Sequence, residues 1–110
     1  MRSDSSIGRM RMRLTLESPQ DEPDGAGGVS RTWRAGGRVW GEVASAAAQG
    51  TFEAGQEGQR VTRRITIRYR EDLRLGQRLR AGTRIFEPRS FHDIDGTRRF
   101  LAITAEETSA

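Results

Sequence analysis

The chain reads as an all-β protein: a small β-barrel of about six short strands with one long loop or short helix insertion. Three observations predict this. Apolar and polar residues alternate with a period of two in several short runs, the pattern of half-buried strands. Clusters of Gly, Pro and Asp separate those runs. No stretch sustains a helical period, and many short strands with almost no helix point to a barrel or sandwich.

Residues 9–18 place Met10, Met12, Leu14 and Leu16 on one face and Arg9, Arg11, Arg13, Thr15 and Glu17 on the other. Pro19, Pro23 and the run Asp24-Gly25-Ala26-Gly27-Gly28 read as a hairpin loop over residues 19–28. Residues 29–34 and 38–43 read as two short strands around Gly36-Gly37, each carrying a Trp. Alternation stops after Val43 and resumes at Arg60. Between them, residues 44–59 hold five Ala and three Gly with the lone aromatic Phe52, which suits a flexible loop or a short helix.

The clearest strand spans residues 60–70. Val61, Ile65, Ile67 and Tyr69 share one face, with Arg63 as the exception, and Thr62, Arg64, Thr66, Arg68 and Arg70 share the other. Residues 79–91 form a further strand region in which Pro88 marks an edge or a bulge. Asp95-Gly96 is a turn pair, and residues 100–104 form the last strand. The expected organisation is a flexible lead over residues 1–8, one domain over residues 9–105 and a polar tail over residues 106–110.

Composition narrows the function classes. The 110 residues suit one domain. All 19 basic residues are Arg, against 15 acids. Leu, Ile, Val and Phe number only 20, so the core is thin and partners would add stability. There is no Cys, which removes disulfides and thiolate metal sites. Residues 1–6 lack an apolar signal core, and no apolar run approaches the roughly 18 residues of a membrane span. A soluble protein made in a cytoplasm, with no membrane partner, is expected.

The catalytic signals are weak. His92 stands near Asp93, Asp95 and several Ser, but no nucleophile motif accompanies it. Asp93-Ile94-Asp95-Gly96 begins like a calcium loop and then runs into Thr97, Arg98 and Arg99, where further ligands belong. A hairpin turn explains it better. Residues 25–28 lack the Lys and Ser/Thr of a phosphate cradle. No enzyme activity and no cofactor are expected.

The charge distribution says more. Residues 60–99 hold 12 Arg against 5 acids, whereas residues 1–59 hold 7 Arg against 8 acids. Arg64, Arg68 and Arg70 are the candidate interface or DNA-facing residues. A merely solvated strand face is the competing reading. A third is charge complementarity between neighbouring copies, with Asp21-Glu22-Pro23-Asp24 as the opposing patch. Trp33 and Trp40 are the candidate interface anchors.

Several blocks in this order resemble the phage head–tail joining family, which includes head-closure (stopper) and head–tail adaptor proteins and has prophage and gene-transfer-agent members. They are Arg13-Leu14-Thr15-Leu16 with Pro19, residues 24–28 with Trp33, Val39-Trp40, and Phe52-Glu53-Ala54-Gly55. Residues 62–70, Arg84-Ile85-Phe86, residues 95–101 and Glu106-Glu107 complete the pattern. Two departures stand out: Arg63 and Arg64 occupy the strand where the family often has a His, and the surroundings of Pro88 lack its usual apolar residue.

The resemblance implies a non-enzymatic connector domain forming a homo-oligomeric ring in the neck of a virion or phage-like particle. A portal or adaptor protein would lie on the head side and a tail terminator or tail tube on the tail side. Packaged double-stranded DNA would pass through. It also implies that residues 42–59 match, by position, a loop that closes the channel in some members, and the composition break at residues 44–59 adds the expectation of a channel-gating segment with Gly50 and Gly55 as hinges and Phe52 packing between subunits. The alternative is a stand-alone nucleic-acid-binding small β-barrel.

Overall fold

The computed structural model describes residues 11–45 and 61–109. Six antiparallel strands form among them: β1 (Met12–Pro23), β2 (Val29–Ser45), β3 (Val61–Arg68), β4 (Arg78–Ala81), β5 (Arg84–Asp93) and β6 (Phe100–Ser109). A 3-10 turn, Ile94–Gly96, links β5 to β6. The strands are hydrogen-bonded in the order β1-β2-β3-β6-β5-β4, and β4 pairs back onto β1 through Thr15–Arg80, Leu16–Leu79 and Glu17–Arg78. The sheet therefore closes into a ring, and the all-β expectation holds. The long loop or short helix expected at residues 44–59 falls almost wholly outside the described residues, as does the lead at residues 1–8.

Alternation sets the core. Leu14 and Leu16 of β1, Ile65 and Ile67 of β3, Leu79 of β4, Phe86 of β5, and Leu101, Ile103 and Ala105 of β6 make one buried cluster. Register brings them together: Ile65 lies opposite Ile103, Ile67 opposite Leu101, and Leu79 opposite both Leu16 and Phe86. The interior is tight at Gly41, where an added Cβ would sit 2.9 Å from Leu14 Cδ1 and 3.1 Å from Ile67 Cγ2. Arg63, which interrupts the apolar face of β3, lies opposite Ala105 and donates from Nε to Glu107 Oε1 at 2.7 Å. Its charge is answered by Glu107, which also pairs with Arg84.

Four sequence expectations need correction. Residues 19–28 are not all loop: β1 runs through Pro19 to Pro23, and only residues 24–28 turn. Beyond Glu17, β1 pairs with β2 alone, and a strand with a free edge tolerates Pro. The two strands around Gly36-Gly37 are one strand, β2. Thr15 pairs with Arg38 but Glu17 pairs with Ala35, so β2 carries one extra residue opposite Leu16, a bulge. Residues 79–91 divide into β4 and β5 at a turn where Gly82 has φ 65°. Residues 106–109 belong to β6 rather than to a tail, held by pairing with both β3 and β5.

Pro88 sits as the sequence suggested, at a register shift between Pro88 and Ser90. The turn at 24–28 is shaped by Asp24, whose Oδ1 accepts from Ala26 N at 2.8 Å and Gly28 N at 3.0 Å. Gly25 and Gly27 of this turn hold φ of 81° and 87°, a conformation that favours glycine.

Candidate interaction surfaces

The bulge organises the outer surface. Trp40 lies opposite Arg13 and Trp33 opposite Pro19, six residues further along β1. Positions an even number apart on one strand share a face, so both Trp lie on one face of the β1–β2 ribbon although seven residues separate them. Without the extra residue they would face opposite ways.

The two Trp do different work. Trp40 is 51% exposed, and the Arg13 guanidinium lies 5.1 Å from its ring centroid. Trp33 is half-buried, with the Arg78 guanidinium 4.0 Å over its ring. Arg78 donates from Nε to Glu17 Oε1 at 2.6 Å, and Arg80 donates to Glu17 Oε2 at 3.1 Å. Glu17 is buried at 9% exposure, satisfied by two guanidinium groups from β4. Trp33 is thus held beneath Arg78 where β1 and β2 run on past β4, and Trp40 is the more exposed of the two Trp.

The three arginines singled out from the sequence also separate. Arg64 and Arg68 are exposed on the outer face of β3, on either side of Thr66, and their side chains make no hydrogen bond or ion pair among the described residues. Arg70 lies past the end of β3 and is bound in both directions to Asp72, Nε to Oδ1 at 2.6 Å and Nη2 to Oδ2 at 2.7 Å. That hydrogen bond holds the Asp72 carboxyl below its ordinary value. Arg70 is a local clamp and does not join the free basic face. Gly50, Phe52 and Gly55 lie outside the described residues.

Two features escaped sequence reasoning. The first is the arm, in which Ser18 through Pro23 pair with Val29 through Arg34 beyond the closed ring. Residues 19–32 are exposed throughout. Arg31 Nε donates to Asp21 Oδ1 at 2.7 Å across the two strands. The Asp21–Arg31 charge pair around an Asp-capped turn was the legible signal, masked by the two Pro. The second is a cavity of about 410 Å³ lined by Arg68, Tyr69, Arg98, Arg99 and Phe100. Arg98 adopts a left-handed φ of 59°, and its N–H donates to Asp93 Oδ1 at 3.0 Å. Tyr69 N donates to Arg99 O at 3.0 Å and joins the two walls.

His92 is exposed and lies outside this cavity. No group of three or more His, Asp or Glu suited to a metal ion occurs among the described residues.

The model of the phage head completion protein family matches residues 5–108. A chain of the virion of a native gene transfer agent particle is similar in structure with a TM-score of 0.70 and 31% identity, covering 93% of this chain and 98% of that one. A Shigella flexneri 2a protein known from its solution structure is similar with a TM-score of 0.68 and 27% identity, covering 94% of this chain and 96% of that one. No curated protein matches the chain.

Proposed function

We propose, for a chain that belongs to the phage head completion protein family, that it is a structural head–tail connector subunit of the stopper, or head-closure, kind. It forms a ring between the portal–adaptor complex and the tail, retains packaged DNA and docks the tail. The observation that carries this reading is the match over residues 5–108, together with a likeness to a virion chain that spans 98% of that chain.

The physical features suit an assembly part. A sheet closed into a ring has few open edges and makes a stiff block for neighbour contacts. The arm extends that block, and Trp40 with Arg64 and Arg68 supplies an exposed aromatic and free positive charge. Aromatic and Arg side chains are the usual anchors of interfaces. The reading is non-enzymatic, as the head completion family and the likeness to a virion chain suggest. The working place is the particle neck, reached from the host cytoplasm during assembly. Partners are a portal or adaptor protein on the head side, a tail terminator or tail tube on the tail side, and DNA in the channel. The gating role of Gly50, Phe52 and Gly55 belongs to this proposal and rests on the family resemblance.

Deleting the gene and inspecting the particles tests the reading. The expected result is filled or leaking heads without tails. Normal tailed particles would remove the proposed role.

A second reading, a stand-alone nucleic-acid-binding barrel, is favoured by the free Arg64 and Arg68 alone. It requires the isolated chain to bind DNA with an affinity that falls steeply with salt.

A further inference from the structure

The arm and the cationic cavity are complementary, and neither is occupied by another element among the described residues. The cavity walls carry Arg68 and Arg99, whose side chains have no hydrogen bond or ion pair among the described residues. Arg98 has only a long contact to Glu71, 3.7 Å, with both side chains largely exposed. Tyr69 and Phe100 complete the lining, so an occupant meets positive charge over apolar walls. Arg98 holds a left-handed backbone conformation that residues with a side chain rarely adopt. Asp93 pins it there, which fixes two successive arginines at the rim.

The arm offers the opposite chemistry. Asp21 is neutralised by Arg31, but Glu22 has only a 3.5 Å contact from Gln20, and Asp24 carries its charge into the turn. The turn itself is Gly25-Ala26-Gly27-Gly28, a slim end for entering a cavity. Asp24 has already fixed its shape, which lowers the entropy lost on docking. From Ser18 to Pro23 the ribbon reaches about 20 Å at the usual rise per strand residue.

Topology makes the contact repeatable. β1 and β3 are both antiparallel to β2 and therefore run the same way. The arm continues β1 and the cavity closes the end of β3, so both project from one end of the barrel on different strands. A contact between two different patches on identical copies is heterologous and yields a closed ring when its rotation closes.

We propose that the Glu22–Asp24 tip of one copy's arm seats in the Arg68–Arg98–Arg99 cavity of the next copy. Each copy is donor at its arm and receptor at its cavity. The proposal rests on the ring reading above and names the contact that builds the ring. Bare DNA phosphate would suit the same arginines. A second copy is the favoured occupant because the chain itself carries the matching acidic tip on an arm that touches nothing else in the described structure.

The chain has no Cys, so cross-linking positions can be introduced on an empty background. Ala26→Cys marks the arm tip, and Thr97→Cys marks the residue next to the cavity rim. In purified particles carrying both, a short bismaleimide should give a ladder of covalent oligomers, while either single variant gives none. Loss of the ladder by at least tenfold with Arg68→Glu and Arg99→Glu, and its return on adding Glu22→Arg, would establish charge pairing at this contact. A double-Cys chain that stays monomer-sized in particles holding many copies, counted by quantitative mass spectrometry, overturns the contact and leaves the ring. A single copy per particle overturns both. A ladder untouched by Arg68→Glu and Arg99→Glu, with loss of binding to a short DNA duplex, makes the cavity a DNA site and overturns the proposal.

Discussion

Trp33 and Trp40 share one face of the β1–β2 ribbon because a bulge opposite Leu16 adds one residue between them. The same bulge turns Trp33 onto Arg78 at the arm root and leaves Trp40 half in solvent beside Arg13. Deleting Gly37 removes the extra residue and shifts the arm register by one. The expected result is loss of the Trp33–Arg78 stack and a destabilisation of about 2 kcal/mol or more, the range of mutations that break a packed network. Thermal unfolding and Trp fluorescence check this. An unchanged melting temperature would mean that the bulge does not set the arm.

The Glu17 cluster gives a second prediction. Glu17→Gln keeps the shape and removes the charge that Arg78 and Arg80 answer. A destabilisation of about 1–3 kcal/mol is expected for weakening a buried charged partner of this kind. Protease nicking of the arm should increase along with it, because the arm root loses its clamp. Denaturant unfolding and limited proteolysis measure the two effects.

Gly41 gives a third. Gly41→Val drives a side chain into Leu14 and Ile67, where even a Cβ sits too close. Overpacking of this sort costs about 1–3 kcal/mol. The chain should unfold at lower denaturant, and a normal midpoint would contradict the packing described.

Glu107 sets a pH dependence. Its hydrogen bond from Arg84, opposed by burial and reinforced by Arg63, holds the carboxyl below the ordinary value of 4.5. A carboxyl with a lowered folded-state value contributes stability in full above its unfolded value and loses it as pH falls through the folded value. Wild type should therefore lose this contribution below pH 4.5, and Glu107→Gln should be less stable near neutrality with a shallower loss in acid. Melting curves from neutral pH into acid test it. Parallel curves for the two proteins would show that the Arg84–Glu107–Arg63 cluster is not coupled to folding.

Much of this structure was legible in the residues themselves. Period-two alternation located the core of β3 through Ile65 and Ile67, and the isolated Pro88 marked the bulge of β5. The arm was hidden because Pro19 and Pro23 ordinarily break strands, and only the tertiary fact of a free ribbon edge lets them stay. β4 and β5 merged in the reading because a two-residue turn at Gly82 hardly interrupts alternation. Of the candidate residues, Arg64 and Arg68 are exposed, and their side chains have no hydrogen bond or ion pair among the described residues. Arg70 and Trp33 have partners inside the chain, Asp72 and Arg78, that the sequence reading did not assign to them. The cavity escaped because its walls come from two strand ends about thirty residues apart, which β3–β6 pairing joins.

In the function proposed above, copies of this chain close the head of a phage-like particle as a ring at its neck. Electron microscopy of purified particles, with the chain located by an added density tag, measures this directly. A closed ring of tagged copies between the head and the tail, around the DNA channel, is the expected result. Particles complete with tails in which the chain is absent from the neck would contradict it.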